Sequence, residues 1–131
     1  MRILFLSAAN SIHTVKWVNA LANRGHEIYL VYNAGHEPDQ DKINHNIHLK
    51  RLKYDGAKGY YLNARELRKY TKHINPDVIN VHYASGYGTL ARRSKIQPIL
   101  LSVWGSDVYD FPYENRLKNI IIKKNVNYAA R

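Results

Sequence analysis

Three short stretches of the chain carry side chains able to handle a polar ligand: Ser7-Ala8-Ala9-Asn10-Ser11, His82-Tyr83-Ala84-Ser85-Gly86-Tyr87-Gly88 and Trp104-Gly105-Ser106-Asp107. The first is built of small residues ahead of a helical pattern. A ligand can therefore approach the backbone and the free N–H groups that open a helix, which suits phosphate or carboxylate. A plain capped turn, with Asn10 or Ser11 as the cap, accounts for it equally well. His13, His82 and Asp107 add groups that could hold a sugar hydroxyl or act as a general base. The structural alternatives are a hydrogen-bonded histidine at a strand end and an aspartate that braces its own loop. An Asp107–Asp110 divalent-cation pair ranks below that bracing role. His45 and His48 lack a nearby third ligand at zinc spacing. The absence of cysteine excludes disulfides, thiol catalysis and Cys-ligated zinc. Neither G-x-G-x-x-G nor G-x-x-x-x-G-K-[ST] occurs, which argues against a dehydrogenase or a P-loop NTPase.

Alternating strand and helix patterns must position these stretches. Apolar runs predict strands at residues 2–6, 28–32, 47–52, 78–81 and 99–103. Ile12, Val15, Val18, Leu21 and Ala22 recur at helical spacing before Arg24-Gly25, and Tyr60, Ala64, Leu67, Thr71 and Ile74 do so before Asn75-Pro76. Residues 85–94 and 113–124 supply two more helices. Strands separated by helices pair in parallel, so the expected fold is α/β, a Rossmann-like doubly wound parallel sheet of order 3-2-1-4-5. The polar segment 33–46, broken by Gly35 and Pro38, is expected as a loop, functional in itself or hiding a helix. Ligands of such sheets sit beyond the carboxyl ends of the strands where the order reverses. That point lies between strands 1 and 4, where the three stretches converge.

At 131 residues, 45% hydrophobic and 23% charged, the chain has the size and composition of one globular domain. Its 20 Lys+Arg against 10 Asp+Glu give a net charge of +10, which points to an anionic partner. Residues 1–45 are balanced, whereas 46–73 hold Lys50, Arg51, Lys53, Lys58, Arg65, Arg68, Lys69 and Lys72 against Asp55 and Glu66 alone. Interleaved with Tyr54, Tyr60, Tyr61 and Tyr70, this block fits an anionic membrane surface or nucleic acid, or simply a solvated helix face. No apolar run approaches the ~20 residues of a membrane span. The apolar stretch from Ile3 to Leu6 is shorter than the ~7–15 residues of a signal-peptide core, so a cytoplasmic start is expected.

The segment from Ile12 to Ile28, ending Arg24-Gly25-His26-Glu27-Ile28, resembles the opening of family 4 glycosyltransferases, where a helix and an R-G-H-[EDK]-V turn follow the first strand. Pro76-Asp77-Val78-Ile79-Asn80-Val81-His82 is similar to that family's P-D-[VI]-[IV]-x-x-H element, and Trp104-Gly105-Ser106-Asp107-Val108 to its [HW]-G-[ST]-D-[VIL] loop. The three come in family order and together span nearly the whole chain. Many members carry His where Trp104 stands, and a glycine-rich turn where Ser7-Ala8-Ala9-Asn10-Ser11 stands.

The resemblance implies one half of a GT-B architecture. Residues 1–131 would be the acceptor-side domain, and a second domain, absent from this chain, would bind the nucleotide-sugar. The implied reaction moves a sugar to a glycan or lipid-linked acceptor in cell-surface polysaccharide or glycolipid synthesis, with retention and without metal or organic cofactor. In that scheme Ser7, Asn10, Ser11 and His13 shape the acceptor pocket, and His82, Gly86 and Trp104 line the cleft. Gly105, Ser106 and Asp107 position the reacting sugar, and the fragment alone is inactive. The basic residues from Lys50 to Lys72 would rest peripherally on an anionic membrane. No nucleic-acid partner is expected on this reading. The alternative is a non-catalytic basic α/β module that binds nucleic acid, nucleotide or flavin.

Overall fold

The computed structural model describes residues 1–131. Five parallel strands, β1 (Arg2–Leu6), β2 (Glu27–Ala34), β3 (His48–Asp55), β4 (Val78–His82) and β5 (Leu100–Ser102), lie in the order β3-β2-β1-β4-β5. The expected doubly wound α/β sheet is the observed one. Alternation along β1 sends Ile3 and Phe5 to one face and Leu4 and Leu6 to the other, and each face has its own core.

Helix α1 (Ile12–Asn23) covers the first face through Val15, Val18, Leu21 and Ala22. Ile43 and Ile47 from the β2–β3 connection join it there. That connection is a loop, as predicted, and two buried isoleucines anchor it in place of a helix. The opposite face is covered by α2 (Gly56–Leu62), α3 (Ala64–Ile74) and α4 (Gly86–Ser94), which contribute Tyr60, Leu67, Tyr87, Leu90 and Ala91 to the second core. Two short helices, α5 (Ser106–Tyr109) and α6 (Phe111–Glu114), lead into α7 (Arg116–Ala129), which packs on α4.

Two predicted helices prove to be broken, each at an asparagine. The helix expected through Tyr60 and Ile74 divides at Asn63, which is fully buried. Its amide group donates to the Tyr54 carbonyl and the Asn33 side chain, while its Oδ1 accepts from the Tyr54 N–H. Asn63 thus satisfies the end of β3, and the helix bends to let it turn inward. The helix expected over 113–124 divides at Asn115, whose extended backbone and side-chain bond to the Lys118 N–H open α7 as an N-cap. Strand β3 outruns its predicted end by three residues to reach Asp55, and β5 is shorter than predicted.

Candidate functional site

β1, β4 and β5 end at the same edge of the sheet, where α1, the last residues of β4 and β5 and the loop after β5 wall a cleft of about 340 Å³ with His13, Trp17, His82, Ser102, Val103 and Trp104. Helical spacing puts His13 and Trp17 one turn apart on the same side of α1. Trp104 is the centre of an aromatic cluster. Its ring centroid lies 5.3 Å from those of His13 and Tyr83 and 6.1 Å from that of His82. Indole faces beside hydroxyl-binding groups suit a ligand with both apolar and polar edges.

His82 is 2% exposed and closes β4. Its Nε2 pairs with Asn80 Oδ1, its ring packs edge-on against Phe5, and its Nδ1 is buried without a partner. Desolvation, reinforced by His13, pushes its pKa from the ordinary 6.5 down to about 4. The fold therefore favours neutral imidazole. Its contribution to stability is complete above the unfolded value near pH 6.5 and fades as pH falls through the folded value near 4. A shift of that size corresponds to about 3 kcal/mol. The His82→Gln chain, followed by urea unfolding between pH 7 and pH 4, is expected to lose about 3 kcal/mol less than the unaltered chain. Parallel stability curves for the two chains would contradict this.

Asp107 is fully buried beneath the Trp104 loop. One carboxylate oxygen accepts from the Ala84 N–H at 2.6 Å, and the other from the N–H groups of Trp104 and Gly105 at 3.0 and 2.9 Å. The carboxylate therefore staples the β5–α5 loop to the β4–α4 loop. Tyr83, between them, sits at φ 83°, a left-handed conformation that costs a side-chain-bearing residue ~1–3 kcal/mol. Bonds from Tyr83 N–H to the Ser102 carbonyl and between its hydroxyl and Ser106 Oγ hold it there.

The structure brings His13, His82 and Trp104 around one cleft, with Gly105, Ser106 and Asp107 forming the loop that carries Trp104. It places the other candidates elsewhere. Ser7 is buried and pairs with the Thr14 hydroxyl at 2.6 Å. Asn10 faces a separate cleft bounded by Glu37, Asp39 and Lys42, and Ser11 precedes α1 without a side-chain cap bond. Gly86 opens onto an apolar cavity of about 240 Å³ between α2, α4 and α7. A β-carbon on Gly86 would come within 2.5 Å of the Tyr60 ring, which stacks edge-on against buried Tyr87. Gly86→Ala is expected to cost ~1–3 kcal/mol of overpacking, read as a lowered thermal midpoint. An unchanged midpoint would mean that Tyr60 moves freely.

Trp17, Asn80 and Ser102 belong to the site without being among the residues the sequence points to. A polar Asn80 on an otherwise apolar strand, two residues before His82 and so on the same face, is the signal that could have found one of them.

The basic block divides. Lys50 pairs with Glu66 at 3.1 Å, Arg51 with Glu37 at 3.7 Å and Lys58 with Asp55 at 3.7 Å, while Lys53 lies over the Tyr54 ring. Arg65, Arg68, Lys69 and Lys72 are exposed at helical spacing along α3, opposite its buried Leu67, Thr71 and Ile74, and form no ion pair. Half-exposed Tyr61 and Leu62 lie one turn before Arg65. No helix is long and apolar enough to cross a membrane, and no three His, Asp or Glu side chains gather as a metal site would require.

A family model described as glycosyl transferase 4-like matches residues 2–131. No curated protein matches the chain. A solved structure of UDP-galactose 4-epimerase is similar over 63% of this chain and 38% of its own, at 10% identity and a TM-score of 0.42. This chain thus spans well under half of that structure.

Proposed function

The chain belongs to the glycosyl transferase 4-like family, and from that membership and the cleft at its sheet edge we propose that it is the acceptor-side domain of a sugar-transferring enzyme. The donor is a nucleotide-sugar, and the acceptor is a glycan or lipid-linked glycan of cell-surface polysaccharide or glycolipid synthesis. The observation that carries this reading is the cleft itself: two indoles and a buried neutral histidine gathered where β1, β4 and β5 end. Such walls favour a neutral, hydroxyl-rich ring over an anion.

Mechanistically, these residues bind and orient. Trp17 and Trp104 offer flat apolar surface to the carbon face of a sugar, and Ser102 and His82 offer polar atoms to its rim. The Asp107 staple holds the Trp104 loop in register with β4, so the reacting hydroxyl is presented at a set position. Stabilising the departing diphosphate requires positive charge, which this reading assigns to a second, donor-binding domain. No metal or organic cofactor is invoked. Residues 1–131 alone would then neither transfer sugar nor hold the donor tightly.

The free basic stripe of α3, with Tyr61 and Leu62 at its end, supports peripheral attachment to an anionic membrane on the cytoplasmic side. Such attachment would bring the cleft to a lipid-linked acceptor. The test of the enzymatic reading is mass spectrometry of surface glycans and glycolipids from cells lacking this protein. The expected result is an acceptor short of one sugar; unchanged glycans would overturn it. Calorimetry of residues 1–131 with nucleotide-sugars checks the division of labour, and tight binding would contradict it.

A further inference from the structure

A buried polar atom without a partner is rare because it forfeits its hydration for nothing, and His82 Nδ1 is such an atom, on a side chain that lines the cleft. What that atom can do depends on where the imidazole proton sits, and Asn80 determines this. The Asn80 Nδ2 donates to the Leu100 carbonyl and to Ser102 Oγ, both at 3.0 Å. A main-chain carbonyl can only accept, so the amide cannot be turned around. Its Oδ1 must therefore face His82, and an amide oxygen can only accept. The proton then resides on Nε2, and Nδ1 carries a bare lone pair.

We propose that Asn80 is a positioning residue that holds His82 in the Nε2–H form, so that Nδ1 receives a hydrogen bond from a hydroxyl of the sugar ring occupying the cleft. This rests on the sugar-transfer reading for the identity of the ring, and on the Asn80 geometry for the role of the atom. Phe5 and Trp104 flank the imidazole edge-on, and His13 is the titratable group whose charge acts on it, with the Tyr83 phenol on the far side of Trp104. Burial keeps the ring neutral, with a pKa of about 4, so the lone pair is available throughout the neutral range. A bare lone pair repels an anion and offers a cation only one ligand, which leaves a hydroxyl as its natural partner. The indole of Trp104 makes no side-chain hydrogen bond and is held by ring contacts alone. Nδ1 is shielded from solvent, so a hydroxyl reaches it only when that indole shifts within the cleft while Asp107 keeps its loop in place.

Nitrogen-15 NMR of the histidine side chains at pH 7 reads the proton position directly. The expected spectrum shows His82 with a protonated Nε2 and a pyridine-like Nδ1, and Asn80→Leu is expected to lose that preference. Titration with methyl α-glucoside is then expected to move the Nδ1 resonance upfield while Nε2 holds still. An Nδ1–H form in the unaltered chain would overturn the proposal without any variant having to fold. So would an Nδ1 resonance that ignores the sugar. An Nδ1–H His82 together with surface glycans short of one sugar in the deletion strain would sink this inference and spare the enzymatic reading. Hydroxyl binding at Nδ1 with normal surface glycans in the deletion strain would do the reverse.

Discussion

Replacing Arg65, Arg68, Lys69 and Lys72 together with alanine is expected to weaken binding to vesicles rich in phosphatidylserine by about a thousandfold. Each cation near an anionic surface contributes about 1 kcal/mol, and every 1.4 kcal/mol is tenfold, so four acting together reach that factor. The four lie along the exposed side of α3, while Glu66 on the same helix is already engaged by Lys50 and by the Lys53 N–H. Alanine at Lys50, Arg51 and Lys58 is expected to matter far less, because those charges already face Glu66, Glu37 and Asp55. Co-sedimentation at rising salt checks the mechanism, since screening beyond ~8 Å at physiological ionic strength should erase most of the attraction. Binding indifferent to salt and lipid charge would defeat the membrane reading and leave the stripe as a solvated face.

The second large effect concerns Asp107. Asp107→Ala is expected to cost about 3–5 kcal/mol, because it leaves the N–H groups of Ala84, Trp104 and Gly105 without their charged acceptor. A domain of this size is stabilised by only ~5–15 kcal/mol in total, so the variant stands near the threshold of folding. Asp107→Asn keeps one oxygen and should lose roughly half as much. Urea midpoints at constant slope measure both, and the near-ultraviolet signal of Trp104 reports whether its loop is still held. A loss below ~1 kcal/mol would mean that water replaces the carboxylate, and that the two loops are not joined through it.

The architecture was legible because burial imposes period and order. Parallel strands covered on both faces must read as short apolar runs, and the alternation of runs with helical stripes admits few windings. Strand order followed from that, whereas the cleft draws on α1, β4 and the β5 loop without the small residues after β1. The breaks at Asn63 and Asn115 were not legible, because an asparagine inside a helical stripe looks like a tolerated polar residue. Only the nearness of the Tyr54 backbone makes Asn63 a capping group for β3. The basic block misled in a related way. Lys50, Arg51 and Lys58 count as charge in the sequence, yet Glu37, Asp55 and Glu66 are folded against them, and the free surface shrinks to one face of α3.

The sequence by itself determined the α/β class and the winding 3-2-1-4-5. Those properties rest on local periodicity and chain order. Tertiary structure decided what the chemical groups are able to do. Asn80 meets the Leu100 carbonyl across 20 positions, which sets the free nitrogen of His82. Asp107 meets the Ala84 N–H across 23, which makes its carboxylate a staple between loops. Ser7, among the small residues that suggested an anion cradle, turns into the core against Thr14. A donor or acceptor acquires its role from its partner, and those of Asn80 and Asp107 become neighbours only when β4 and β5 pair.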